Sequence, residues 1–335
     1  MADLVYRAGD PFVGVLRIVG RGPTLSRPLG LEEAEAAMAA ILEERVDELQ
    51  LGAFLLTLRT RGESAAEIAG FARAARARLA DLTELAVDLD WPSYADAHKQ
   101  LPWFLLAARL LALAGVRILL HGVGGEGPAG TREGLAALGL PIASSPTEAA
   151  RALDRDGLAY LPIEVLSPRL FDLLELKRRL GVRTAVNSLV RALDPARARA
   201  RMVGVFHPPY LALHAEAEQI LGGGSCAVFK GGGGEAQRNP EKPCRVLRVE
   251  KGEVREESWP ALLAEERHPW RQEPLDVRRL GALWTGELQA AGPRAAVIGT
   301  AALALHLLGR VRTPTEAQEL AEDLWRERPR LARAA

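Results

Sequence analysis

Cysteine is scarce in this chain of 335 residues, and Cys226 and Cys244 are the whole supply. They lie far apart without CxxC spacing, which argues against a disulfide framework or a cysteine metal site and for a reduced, structural role. Long uncharged apolar runs are missing as well. The longest apolar stretch, Leu101 to Leu120, is interrupted by Arg109 and Arg117, whereas a membrane helix needs roughly 18 or more uncharged residues. No transmembrane segment is expected. The opening Met1-Ala2-Asp3 lacks the basic-then-apolar pattern of a signal peptide, so the expected location is the cytoplasm. Net charge is absent too, with 43 basic residues against 43 acidic. That balance neither demands nor forbids a nucleic-acid partner, because local patches decide.

What is present is ordinary globular composition, 48% apolar and 26% charged, in a chain long enough for one large domain plus a smaller one. The charge is unevenly spread. Seven acidic residues and one basic fall between Leu31 and Gln50, whereas nine basic and three acidic fall between Val165 and Arg201.

The first 85 residues read as helical. Strong helix formers run from Leu31 to Leu42 with acids in the first turn. Leu49, Leu51, Phe54, Leu55 and Leu58 follow at helical spacing, and Ser64 with Glu67 makes a capping box for a helix through Arg78. Then the pattern changes. Short apolar runs at Leu85–Leu89, Val116–Leu120, Leu158–Pro162, Met202–Phe206 and Ser225–Lys230 read as strands, with helices at Leu101–Ala114 and Thr131–Leu138 and a helical tail from Arg278 to Arg328. Strands alternating with helices predict an α/β fold with a mostly parallel, helix-covered sheet.

Three motifs carry a family resemblance. Gln50, Ala53-Phe54-Leu55, Arg61-Gly62-Glu63, Glu67 and Gly70 form the first. Leu180-Gly-Val-Arg-Thr-Ala-Val-Asn187 followed by Leu193-Asp-Pro195 is the second, and the Gly286–Gly309 region with its Ala-Ala-x-x-Leu core is the third. In order and spacing the chain resembles the anthranilate phosphoribosyltransferases of glycosyltransferase family 3. The resemblance implies the nucleoside phosphorylase/phosphoribosyltransferase class II fold. Its small helical domain would be residues 1–84, completed by helices from about 165–192, and its large α/β domain residues 85–335.

The catalytic motifs depart from that family. Where the enzymes carry a glycine-rich Gly-Thr-Gly-Gly-Asp loop after the first strand, this chain has Trp91-Pro-Ser-Tyr94, then Lys99 and Trp103. Proline and tryptophan cannot supply the close backbone approach a diphosphate needs. The enzymes' Lys-His-Gly-Asn is Leu120-His121-Gly122-Val123, and their magnesium-holding Asp-Glu pair aligns with Ala236-Gln237. A hard cation takes several oxygen ligands, usually carboxylates, so no metal is expected. Glu235 and Glu126 are the nearest weak candidates. This altered set is similar to the paralogous, YbiB-like branch of the family. That likeness implies a homodimer through the N-terminal helices, binding single- or double-stranded nucleic acid without sequence preference and lacking anthranilate transfer.

Two readings stay open. In the first, Lys177, Arg178, Arg179, Arg183, Arg197, Arg199 and Arg201 form a phosphate-binding stripe, and Trp91, Tyr94, Lys99 and Trp103 a stacking platform. The bland alternatives are a solvated helix face and loop packing. In the second, the chain is a phosphoribosyl or related glycosyl transferase with an altered acceptor, requiring magnesium, with His121 and Glu235 as its catalytic candidates. Lys177 aligns near the arginine that holds the acceptor carboxylate in the enzymes, which counts against anthranilate. Either way, His121, Gly122, Gly124, Gly125, Lys230, Gly231, Gly232, Gly233 and Arg238 are expected to line an anion pocket at the carboxyl end of the sheet, where open α/β sheets bind ligands.

Overall fold

The computed structural model describes residues 10–22, 24–95, 99–125, 127–263, 265 and 267–334. They fall into two compact units, one of residues up to 78 together with 169–193, the other of 79–168 together with 194–335.

The helical unit starts with α1 (Pro11–Gly20), α2 (Leu31–Leu42), α3 (Glu48–Arg61) and α4 (Ala65–Arg76). Each of three starts has a local cause. Asp10 accepts from Phe12 N–H at 2.8 Å, Asp47 from Gln50 N–H at 3.0 Å, and Ser64 from Glu67 N–H at 3.2 Å, satisfying donors that a helix leaves unpaired. Phe12, Phe54 and Phe71 stack edge-to-face at 5.4 and 6.1 Å through the core.

The first family motif turns out to be architectural. The fully buried Glu67 carboxylate accepts from Leu29 N–H at 2.9 Å, Ser64 N–H at 2.8 Å and the Arg61 guanidinium at 2.6 Å. At Gly70 a Cβ would stand 2.4 Å from Leu31 O, so glycine is what lets α2 and α4 touch backbone to backbone. The second motif is likewise a packed turn, in which Asn187 Oδ1 accepts from Thr184 N–H at 3.0 Å.

The α/β unit has, in chain order, β1 (Leu89–Ser93), α5 (Phe104–Leu113), β2 (Ile118–Gly122), α6 (Thr131–Ala137), α7 (Pro146–Asp156), β3 (Leu158–Pro162) and α8 (Ile163–Leu166). The chain then adds α9 (Pro168–Glu175), α10 (Lys177–Leu180) and α11 (Val186–Leu189) to the helical unit. It returns with β4 (Ala200–Val205), α12 (Pro209–Leu221), β5 (Ser225–Lys230), β6 (Cys244–Glu250), β7 (Glu253–Trp259), α13 (Arg278–Thr285), α14 (Ala291–Leu307) and α15 (Pro314–Ala334). The strands form one sheet in the order β3-β2-β1-β4-β5-β6-β7, with β1 to β5 parallel and β6 and β7 antiparallel. This is the mostly parallel α/β architecture expected from the sequence.

One expected strand moves. The apolar run Leu85–Leu89 opens at the end of a 3-10 turn (Thr83–Leu85) followed by a left-handed Ala86 (φ 48°), and the strand proper begins at Leu89. It contains a proline although it lies inside the sheet. Odd-numbered residues turn their backbone toward β2, as Leu89 N–H to Arg117 O and Val123 N–H to Ser93 O attest. Pro92 therefore faces β4, with which β1 pairs only through Leu89 and Asp90, so its missing N–H breaks no ladder. Trp91, Trp103, Phe104, Met202 and Phe229 pack one face of the sheet, and Val203, Val205, Leu211, Val228 and Leu247 the other. Each such side chain contributes roughly 1.5–3 kcal/mol by leaving water. Among the described residues no helix is long and apolar enough to cross a membrane.

Candidate functional site

At the carboxyl end of the parallel strands, polar groups converge. Glu235 Oε1 accepts from Ser93 Oγ at 3.1 Å and from Ala95 N–H at 3.0 Å. The Ser93 and Thr131 hydroxyls lie 2.9 Å apart. Two residues on, the Gln237 side-chain oxygen accepts Phe104 N–H at 2.9 Å, capping the start of α5. Tyr160 closes the cluster from β3, and burial pushes its phenol well above the usual range. Arg132 stands nearby, in an ion pair with Glu164.

The glycine run after β5 is folded back on itself. Gly231 N–H is taken by Val205 O at 2.9 Å and Gly232 N–H by Gln237 O at 2.6 Å. A Cβ at Gly231 would stand 1.6 Å from Glu235 O, and one at Gly204 2.3 Å from Ala236 N. These two glycines answer to backbone packing, not to an anion. Gly122 does the same beside β1, where a Cβ would meet Ser93 O at 1.7 Å. Of the run itself, Gly233, with φ 68° and open space around its Cβ position, keeps the free geometry expected of a ligand loop.

Beneath this cluster runs a buried chain of charge on the α12 side. Tyr94 OH lies 2.8 Å from His121 Nδ1, and His121 Nε2 lies 3.1 Å from Asp90 Oδ1 although out of hydrogen-bonding alignment. Arg201 Nε donates to the other Asp90 oxygen at 3.2 Å, stands 4.0 Å from Asp194 and pairs with Glu218. Burial by itself would raise the Asp90 carboxyl, but His121 and Arg201 outweigh it and hold the group below the ordinary carboxylate range. The carboxylates of Glu218, Asp194 and Asp90 push the Arg201 guanidinium up against the opposing cost of its burial.

Several expected site residues are therefore placed elsewhere. His121 is fully buried between Tyr94 and Asp90 and cannot touch a substrate. Trp91, Tyr94 and Trp103 are buried in the core, so they offer no stacking platform. Only Lys99 of that set is exposed. Arg201 is spent on its buried carboxylates rather than on a phosphate stripe. Arg238 turns away from the glycine run, lies 5.3 Å from the Trp259 ring and is pushed down by burial. Gly231 and Gly232 have lost their amides to the chain itself. Glu235 faces Ser93 and Ala95, and Glu126 lies outside the described residues.

The basic stripe is split as well. Lys177, Arg178, Arg179 and Arg183 belong to the helical unit, whereas Arg197, Arg199 and Arg201 belong to the α/β unit. Lys177 stands 3.8 Å from Glu175, Arg178 pairs with Glu175, and Arg179 pairs with Glu48 at 3.0 Å. Arg199 is 74% exposed and meets Asp88 at 3.3 Å. Exposed pairs of this kind hold their partners weakly. Gly124 is filled by Arg132, whose Cδ would stand 2.6 Å from a Cβ there, and Gly125 sits in a left-handed turn (φ 82°).

Sequence reasoning missed Ser93, Thr131, Gln237, Phe206 and His207. The last two follow directly on β4 and are exposed, and their place at a strand's carboxyl end was the available signal. A separate cavity of about 490 Å³ lies within the helical unit, lined by Val46, Leu51, Leu173, Leu176 and Leu180 with the Glu48–Arg179 pair. Arg169, Asp172 and Glu175 line it as well, so its wall is an even mixture of leucines and charged side chains.

A helical unit together with a mostly parallel sheet whose strands end in a polar cluster defines a two-unit α/β protein with a candidate ligand edge. Residues 14–79 match the glycosyl transferase family helical bundle domain and residues 104–327 its a/b domain. The chain belongs to this family, glycosyl transferase family 3. It is 31% identical to the anthranilate phosphoribosyltransferase of Rubrobacter xylanophilus over 92% of both chains, and 29% identical to the uncharacterized protein YbiB of Escherichia coli over 72% of this chain and 77% of that one. Among solved structures, anthranilate phosphoribosyltransferase from Thermus thermophilus matches with a TM-score of 0.77 at 28% identity, covering 89% of this chain and 92% of that one. The Saccharomyces cerevisiae enzyme in complex with PRPP and Mg shares the fold, with a TM-score of 0.76 at 17% identity over 94% of this chain and 93% of that one.

Proposed function

We propose that the chain is a phosphoribosyl or related pentosyl transferase that takes a phosphoribosyl-pyrophosphate-type donor and an acceptor other than anthranilate. The observation that supports this best is the end-to-end similarity, 31% over 92% of both chains, to a transferase. In the reaction the bond from the anomeric carbon to the pyrophosphate oxygen breaks, and its electrons leave with the pyrophosphate. A bond forms from the acceptor, which gives up a proton. Stabilising the departing charge is the main electrostatic demand. Lys99 and Lys230, exposed at the strands' carboxyl end, are the cations available for it. Lys177, at the position where the resemblance puts the arginine for the acceptor carboxylate, supports an acceptor other than anthranilate. The test is release of pyrophosphate from phosphoribosyl pyrophosphate over a panel of amine and heteroaromatic acceptors. No release with any acceptor would end the reading.

A second reading, sequence-nonspecific nucleic-acid binding, is supported by Arg178 and Arg179, 65% and 68% exposed on the helical unit. It expects single-stranded DNA to bind in low salt and to be released as salt rises. Fluorescence anisotropy that shows no binding in low salt would reject it. The expected homodimer would use α3, where Leu49 is 71% exposed beside the helical cavity. Leu49→Glu should then leave a monomer in light scattering.

A further inference from the structure

The magnesium that accompanies phosphoribosyl pyrophosphate in the yeast relative does not fit the residues of this chain. The position of the acidic pair is filled by Ala236, fully buried and without a donor atom, and by Gln237, whose side-chain oxygen already caps α5 at Phe104 N–H. The adjacent carboxylate, Glu235, has turned inward and takes Ser93 Oγ–H and Ala95 N–H on one oxygen. Among the described residues no group of three His, Cys, Asp or Glu side chains is placed to hold a metal ion. A hard cation asks for several oxygen ligands, carboxylates above all, and this donor set is neutral or already engaged.

The loss has an electrostatic consequence. Two carboxylates beside a diphosphate repel it unless a divalent cation stands between them. With that pair replaced, Glu235, turned inward, is the carboxylate left beside the run, and the diphosphate's own charge can be met by side-chain cations. The neighbours of the glycine run are Gln100, Gln237, Glu235, Ala95 and Phe206, and the basic residues stand one position further along the chain. The Cβ position of Gly234 lies 3.6 Å from Ala95 and 3.7 Å from Phe206, and that of Gly232 lies 2.9 Å from Gln100. The segments after β1, β4 and β5 thus meet around this run, and each carries an exposed basic residue directly beside a contact point: Lys99 next to Gln100, His207 next to Phe206, and Lys230 next to Gly231.

We infer that this chain grips a phosphate or diphosphate ligand without a divalent cation, with Lys99 and Lys230 standing in for the ion and His207 offering a ring N–H. The inference rests on the proposed phosphorylated donor, and it is tested apart from turnover. The full chain is titrated by calorimetry with inorganic pyrophosphate, once in EDTA and once in excess magnesium. Binding in EDTA at least as tight as in magnesium is expected, weakened about fivefold by Lys230→Ala, the worth of one exposed charge pair. Gln237→Glu keeps an acceptor for Phe104 N–H while restoring one carboxylate. It should weaken binding in EDTA and make magnesium restore it, which a purely structural role for Gln237 would not produce. Heat seen only with magnesium would overturn the inference and leave the transferase reading standing. No heat under either condition would overturn it as well, and the transferase reading would then depend on whether pyrophosphate is released.

Discussion

Asp90 and Ser93 stand three residues apart on β1 yet serve opposite purposes. Asp90 is locked into a buried polar network, facing His121 and Arg201 with Glu218 and Asp194 beyond. Ser93 joins a smaller cluster at the strand's end, shared with Thr131 and Glu235, at the edge where open α/β sheets bind ligands. The buried network carries the fold, and the edge has been rebuilt with its own hydrogen bonds closed upon themselves. The His121-Gly122 motif thus has a structural role of its own. His121-Gly122 persists because the imidazole fills a polar hole under β1 and the glycine lets Ser93 O approach.

The largest effect separating these two regions is expected from Arg201→Met. It strands three buried carboxylates and should cost about 3–5 kcal/mol, read as a large fall in the denaturation midpoint. Little change would mean the network is not what holds β1, β4 and α12 together. Next in size is Gly231→Ala, whose Cβ would strike Glu235 O and should cost about 3 kcal/mol. Gly233→Ala, strained in φ but sterically open, should cost only about 1 kcal/mol. Equal losses from the two would contradict a self-packed glycine run.

Acid should separate the regions further. Because His121 and Arg201 hold Asp90 below its ordinary value, its contribution to stability is complete above the unfolded carboxylate value of about 3.9. It is lost as pH falls through the lower folded value. Asp90→Asn should therefore destabilise the chain at neutral pH and flatten the acid limb of the stability curve. An unchanged acid limb would exclude Asp90 as its source. The smallest expected effect is that of Lys230→Ala on stability, within about 0.5 kcal/mol as for an exposed side chain, even though pyrophosphate binding weakens.

The helices of the N-terminal part were legible because their signals are local. Asp47, Ser64 and Glu67 act within three residues of themselves in sequence. The strand β1 was not, because its buried aspartate and its proline make sense only once Arg201 and the short β4 pairing are known. The antiparallel hairpin was readable in principle. The apolar-rich Cys244–Glu250 leads into Lys251-Gly252, both left-handed at φ 53° and 78°, a two-residue turn suited to hairpins. Of the site, the departure of Trp91-Pro-Ser-Tyr94 and Ala236-Gln237 from the family's motifs is plain in the sequence. That Trp91, Trp103 and Arg238 point inward is not, since an aromatic or arginine near a glycine run looks the same in sequence whether it faces ligand or core.

Residue-resolved amide hydrogen exchange at the strands' carboxyl end is the decisive measurement. If this edge is closed by its own bonds, the amides of Ala95, Phe104, Gly231 and Gly232 exchange slowly and stay unchanged when magnesium is added. Rapid exchange at Gly231 and Gly232, slowed by magnesium together with pyrophosphate, would instead reveal an open, metal-dependent cradle and contradict a closed edge.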